Sequence, residues 1–264
     1  MLRFYVEAAR TAFRRQLIYR WANLAGLCTN IFWGVIESAV FIALYHSRPV
    51  AAGYSLTDTL RYWWLIQGMI MIVLPFGWFD LVLTIRSGEV VTDLSKPCDF
   101  YWYWFSREVG RDAYYLLFRF LPTYTAGILL FHIGLPDDWR TWTLFALSLT
   151  LGAALGIAYR FIANLAAFWV VEGRPVAGLS YVVALFFTGS YLPIAFFPPV
   201  LRTLIEWSPF SGLMNVPAEL FVRKAAGSGI VLAFVQQLFW LVTLTLLARG
   251  LTRLATQRVV AQGG

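Results

Sequence analysis

Apolar residues fall in six long blocks separated by short polar connections, with one longer polar interruption after the second block and a basic, periodically apolar head in front. The blocks lie near Leu24–Tyr45, Leu60–Phe79, Ala113–Ile133, Trp142–Val171, Val176–Phe197 and Ile230–Ala248. Each reaches the roughly 20 residues that a helix needs to cross about 30 Å of hydrocarbon. The chain therefore reads as an all-α integral membrane protein, a single transmembrane domain over residues 1–264 with six transmembrane helices.

In the head, Leu2, Val6, Ala9, Phe13 and Leu17 recur at three- and four-residue steps, with Arg3, Glu7, Arg10 and Arg14 on the neighbouring stripe. That spacing predicts an amphipathic helix over residues 1–20, lying on the inner leaflet by its apolar face. The plainer alternative is a basic flank that only fixes topology.

The polar interruption, residues 80–112, offers Ser87 as a cap and Glu89 near the positive end of a helix dipole, with Pro97 as a stop. It predicts a short surface helix from Glu89 to Leu94. The run Phe100–Phe105 after it has the composition of an aromatic belt at headgroup level. Residues 198–228 are apolar in places but broken by Pro209, Gly212 and Pro217. Too interrupted to span, they predict a re-entrant segment on the outer side, packed against protein.

Composition agrees with this layout: 59% of residues are hydrophobic and 13% charged, against roughly 25% charged in soluble domains. The net charge of +7 needs no nucleic-acid partner, because in a membrane chain the side on which Lys and Arg fall is the informative quantity. With the N-terminus inside, thirteen basic residues fall on inner segments and six on outer ones. Both termini are thus expected in the cytoplasm. The head carries too many charges for a cleaved secretory signal, and Cys28 and Cys98 form no disulfide framework.

Two stripes run inside the blocks. Asn23, Gly26, Asn30, Gly34 and Glu37 share one face of the first span, and Gly152, Gly156, Arg160 and Asn164 recur every four residues in the fourth. Small and polar groups on one face point into protein rather than lipid. Glu37 and Arg160 are functional candidates because an ionisable group at that depth costs about 2.5–3.5 kcal/mol on insertion scales. They either pair with each other across offset helices or are satisfied separately. Arg119 is expected to snorkel to the inner interface, and Pro75, Pro122 and Pro193 to bend their helices.

No phosphate-binding loop precedes either lysine, and His46 and His132 lack metal-site spacing. Glu37 reads as the single acidic residue within a span, so a general acid–base pair lacks its second member. These residues disfavour a membrane enzyme without excluding one, and a non-catalytic subunit is expected.

The order of parts resembles a type 2 ABC exporter permease. Within it, Ile85-Arg86-Ser87-Gly88-Glu89 leading to Leu94-Ser95-Lys96-Pro97 is similar to the inner-loop pattern of the bacterial branch that includes viologen-exporter-like and multidrug-exporter-like permeases. The resemblance implies a coupling helix, with Arg86, Ser87, Gly88, Glu89, Asp93 and Leu94 docking into a separate ATP-binding subunit that holds ATP and Mg. Residues Arg3 to Arg20 become the connecting helix. Two permeases, identical or paralogous, join an ATP-binding pair in the bacterial cytoplasmic membrane. The first, second and fifth spans line the path, which makes Asn30, Glu37, Gln67 and Gly68 candidates for cargo contact. Small hydrophobic or cationic cargo is expected, then lipid-linked or glycan cargo. An ion-coupled secondary transporter is the rival class, and it calls for an inverted repeat and broken helices at the midplane.

Overall fold

A computed structural model describes residues 2–257, and within them the chain is almost entirely helical. The head forms α1 (Leu2–Ile18), which turns at Tyr19 into α2 (Arg20–Ser47). A two-residue hairpin, β1 (Val50–Ala51) and β2 (Tyr54–Ser55), turns through Ala52 and Gly53, both at positive φ, as a tight hairpin turn demands. It delivers the chain to α3 (Leu56–Val73), started by a reciprocal capping box between Ser55 and Asp58. Two short helices follow, α4 (Asp80–Arg86) and α5 (Val90–Leu94). Next, α6 (Phe100–Tyr115) and α7 (Leu121–Phe131) are joined without a break by a π turn over Leu116–Phe120. Then come α8 (Trp139–Leu165), α9 (Arg174–Phe187), α10 (Pro199–Trp207), α11 (Asn215–Phe221) and α12 (Ser228–Thr256).

Four of these helices, α2, α6–α7, α8 and α12, are long and apolar enough to cross a membrane. The second and fifth blocks are built differently. The α3 helix stops at Val73 and the chain continues without helix to Phe79, because Pro75 disfavours the α region for the residue before it. The α9 helix stops at Phe187, ahead of Gly189 at φ +80° and of Pro193, which lies outside any α-helix. Pro75 and Pro193 thus end helices rather than bend them. Irregular backbone of this kind survives at depth only when packed against protein. Leu74, Thr188 and Ser190 are all buried. Pro122 sits directly after the π turn, whose wider hydrogen bond from Leu121 N–H to the Leu116 carbonyl gives the proline ring room that a regular turn would deny it.

The third long helix begins earlier than expected. Asp99 caps it by accepting from Trp102 N–H at 3.1 Å, so Phe100–Asp112 is helix, not loop. Phe100, Tyr101 and Trp104 are buried, with Phe100 and Tyr101 against Phe161 of α8. The aromatic run is therefore mostly protein core rather than an interface belt. Alongside α6 lies α1, running parallel to it: Phe4 meets Tyr103, Phe13 meets Tyr114, and Tyr5 Oη accepts from Asp99 N–H at 3.3 Å. Gly110 makes the crossing close, since a Cβ there would stand 2.6 Å from the Ala9 carbonyl carbon. The head is thus clamped to α6 by one face, while Leu2, Val6 and Leu17 of its apolar stripe remain exposed.

The start of α1, the start of α6 and the end of α12 meet at one end of the bundle, where Arg249 pairs with Asp99 at 3.0 Å. At the opposite end, residues 198–228 form the α10–α11 hairpin. It spans no great length, as expected, and α11 is buried through Asn215, Val216, Pro217, Ala218, Leu220 and Phe221. Lys224 ties this end to the β-hairpin, donating to the Gly53 carbonyl at 2.9 Å and pairing with Asp58 at 2.7 Å. The core is one aromatic-rich cluster centred on α3, whose Tyr62, Trp64, Leu65, Ile66 and Met69 are fully buried. Gln237 of α12 is buried too, bonded to Ser148 and to the Gly212 carbonyl, which locks α12 to α8 and to the hairpin.

Candidate functional site

Between α2, α3, α6 and the end of α9 lies a cavity of about 650 Å³. The polar stripe of α2 forms one wall, through Asn23, Gly26, Asn30 and Glu37. Trp63, Gln67 and Met71 of α3 form a second, and Tyr181, Ser190 and Tyr191 close the side toward α9. Of the four residues expected to contact cargo, Asn30, Glu37 and Gln67 therefore share one cavity. Gly68 does not. A Cβ there would meet the Phe120 ring at 2.6 Å, so Gly68 serves the packing of α3 on the π turn. Gly34, the remaining member of the α2 stripe, likewise takes the Trp64 ring, which would lie 2.7 Å from a Cβ.

Asn30 is a bracket as well as a wall. Its amide donates to the Gln67 carbonyl at 2.6 Å, and its carbonyl oxygen accepts from Arg119 Nη2 at 2.8 Å. Arg119 also donates from Nη1 to the Asn23 carbonyl at 3.1 Å. It is buried and lies on the cavity wall. This corrects the expectation that it snorkels: the guanidinium turns sideways onto α2, where the absent Cβ of Gly26 leaves it room.

A second buried charge centre sits between α6 and α8. Arg160 Nη2 pairs with Glu108 at 3.2 Å and with Asp112 at 3.8 Å, and Arg111 pairs with the same two carboxylates. Trp78 Nε1 donates to Glu108 at 3.0 Å. Arg160 Nη1 also donates to the carbonyls of Ile72 and Val73, the last residues of α3, and so caps a helix end that the break at Pro75 leaves open. Gly156 of the α8 stripe serves that same end, where a Cβ would come within 2.5 Å of the Val73 carbonyl oxygen, while Gly152 receives the chain between α10 and α11, with a Cβ within 2.5 Å of the Leu213 carbonyl oxygen. Asn164 Oδ1 accepts from Val82 N–H at 3.4 Å. The α8 stripe points into protein as its spacing requires.

Two expectations change here. Arg160 does not pair with Glu37. Nor is Glu37 the single acidic residue within a long helix, since Glu108 and Asp112 are buried one turn apart on α6. They were hidden because residues 100–112 are too polar and aromatic for the hydropathy of a span. The legible signal was local: an Asp99 cap followed by Phe100, Trp104, Glu108 and Asp112 at four-residue steps.

The residues expected to couple to a partner are split. Arg86, Ser87, Gly88 and Glu89 form an exposed knuckle between α4 and α5, with Gly88 at φ +78°. Arg86 is held at 2.5 Å by Glu172, just ahead of α9, which links the knuckle to that helix. Asp93 is buried and turned inward to Lys96 at 2.6 Å, and Lys96 also donates to Tyr103 at 2.8 Å. Burial works against the Lys96 ammonium, but these two bonds prevail and its pKa is raised above the usual lysine value, so the bracket stays charged through the neutral range. Leu94 is half-buried and packs with the core cluster around Trp104. Glu89 is the first residue before α5 rather than within it. Among the described residues no group of His, Cys, Asp and Glu is arranged to hold a metal ion.

No curated protein matches the chain. Residues 32–263 match the family described as ABC-2 family transporter protein, a stretch that begins inside α2 and takes in the cluster around Arg160, the exposed knuckle and every wall of the cavity except the first half of α2 and the end of α1. This multi-pass, all-α membrane protein belongs to the ABC-2 transporter family.

Proposed function

We propose that the chain is the permease half of an exporter that moves small hydrophobic or cationic compounds outward across the bacterial cytoplasmic membrane. Family membership makes it a membrane transport component and implies an ATP-binding subunit as partner. The observation that carries the cargo reading is the cavity itself. At about 650 Å³ it falls within the roughly 300–1,000 Å³ of small-molecule sites. Aromatic walls from Trp33, Trp63, Tyr181 and Tyr191 suit apolar bodies, and Glu37 suits a cationic end.

The exposed knuckle Arg86–Glu89 docks the ATP-binding subunit, which holds ATP and Mg. Since α4 follows directly from the broken end of α3, and Arg86 is tied to Glu172 ahead of α9, movement of the knuckle reaches two walls of the cavity through covalent chain and one ion pair. A second permease, identical or paralogous, completes the path. The end of the bundle that gathers α1, the knuckle and the end of α12 faces the cytoplasm.

The test is ATP-driven uptake of a fluorescent hydrophobic cation into inverted vesicles carrying the permease with its ATP-binding subunit. Met71→Trp, which fills the cavity, should abolish uptake while leaving the complex assembled. Uptake that is indifferent to Met71→Trp would place the path elsewhere.

A further inference from the structure

Among the described residues three arginines lie buried in the long helices, and one of the three, Arg119, lacks an acid. Arg111 and Arg160 share Glu108 and Asp112. Arg119 takes part in none of the ion pairs among the described residues. Its hydrogen bonds go to two neutral oxygens, the Asn23 carbonyl and Asn30 Oδ1, which occupy two of the five N–H groups that a guanidinium carries. Its Nε is buried without any partner. A guanidinium remains charged at any physiological pH, and an uncompensated charge inside a membrane protein is costly. Such a group persists where function uses it.

The site is built rather than incidental. Arg119 is only 3% exposed yet lines the large cavity, with Asn23, Asn30 and Tyr115 beside it on the same wall. Its position is over-determined: Gly26 and Asn30, one turn apart on α2, receive the guanidinium, and Asn30 is in turn fixed by the Gln67 carbonyl. Glu37, on the same wall, is also absent from the ion pairs of the described residues, and it lies seven residues beyond Asn30, about 10 Å along the helix. The cavity thus holds one cation and one anion that do not neutralise each other.

We infer that the cargo of this cavity is an amphiphile bearing an anionic group, a phosphate or carboxylate, that seats on Arg119 as the missing counter-ion. With a cationic end toward Glu37 and an apolar body between the aromatic walls, a zwitterionic amphiphile satisfies the whole cavity, and a purely cationic one satisfies half of it. The inference rests on the cavity being the cargo site and shifts its preferred cargo from a simple cation to an amphiphile that also carries an anionic group.

Two pairs of probes test it, applied below their micellar concentrations to the permease with its ATP-binding subunit in nanodiscs of a neutral galactolipid that carries no phosphate of its own: dodecylphosphocholine against dodecyltrimethylammonium, and dodecyl phosphate against dodecanol. The second pair differs by one phosphate, and the first by a phosphate with its two-carbon linker. Binding and ATPase stimulation should favour the phosphate-bearing member of both pairs by about tenfold, the worth of one charge-assisted contact. Arg119→Gln should erase the preference and Arg119→Lys should retain it. Equal binding within both wild-type pairs overturns the inference, and that comparison needs no variant to fold. Inorganic phosphate competing as well as dodecyl phosphate would also overturn it, since the site would then take a free anion rather than an amphiphile. If all four probes bind alike yet Met71→Trp abolishes their binding, the cargo cavity stands and only the anionic class fails. If Met71→Trp leaves binding untouched, the cavity reading itself fails.

Discussion

Arg160 and Arg119 are both buried, both donate to backbone carbonyls, and both stand on long helices, yet their surroundings differ in kind. Arg160 lies in a cluster of two arginines and two carboxylates that closes the broken end of α3. Arg119 lies on the wall of a cavity with only neutral oxygens for company. The first arrangement consumes its charge internally. The second leaves charge available, so the presence of an intramembrane arginine is less informative than whether its neighbours have already neutralised it.

The comparison breaks most readily at Arg160. Arg160→Met leaves Glu108 and Asp112 to share Arg111 alone and uncaps α3, and removing one member of a buried charge cluster costs about 3–5 kcal/mol. Thermal unfolding in nanodiscs should register that loss, with partial recovery on adding Glu108→Gln. Next in size is Gly68→Ala, which forces a methyl into the Phe120 ring and should cost about 1–3 kcal/mol as overpacking, without changing cargo preference. Arg119→Gln comes third. It loses two hydrogen bonds but also removes an uncompensated charge, so stability should shift by less than about 1 kcal/mol while stimulation of the partner's ATPase by phosphate-bearing amphiphiles falls. A loss equal to that of Arg160→Met would erase the distinction between the two centres. Smallest is Glu89→Ala on the exposed knuckle, expected within about 0.5 kcal/mol. Its effect should appear only as weaker co-purification of the ATP-binding subunit.

The same contrast explains what could be read from the chain. The α8 stripe was legible because Gly152, Gly156, Arg160 and Asn164 stand out against apolar neighbours, and four-residue spacing fixes a helical face whatever it touches. The α2 stripe was legible for the same reason, though not that Gly34 and Gly68 would pack while Asn30, Glu37 and Gln67 lined a cavity, since that depends on which aromatic ring arrives opposite. Glu108 and Asp112 were missed because hydropathy averages over a window, and Tyr, Trp and Arg in residues 100–112 dilute the signal of a helix that local capping starts cleanly. The stop at Phe187 was invisible for the opposite reason: the residues from Thr188 to Phe197 remain apolar enough to read as a continued span, and only backbone conformation at Gly189 betrays the break.

The π turn at Leu116–Phe120 has a further consequence. One surplus residue in a regular helix would rotate everything beyond it by about 100°, but here the wider turn absorbs it locally. Upstream, α6 turns its carboxylates to α8; downstream, α7 lays Gly127 against Trp64; Arg119, within the turn, reaches α2. The longest rod among the described residues is in effect two rods that keep one register across the splice, with the surplus residue set aside within it. Excising a single residue from the splice would return a regular helix with both flanks still facing their present neighbours, and would take away only the turn that aims Arg119 at α2.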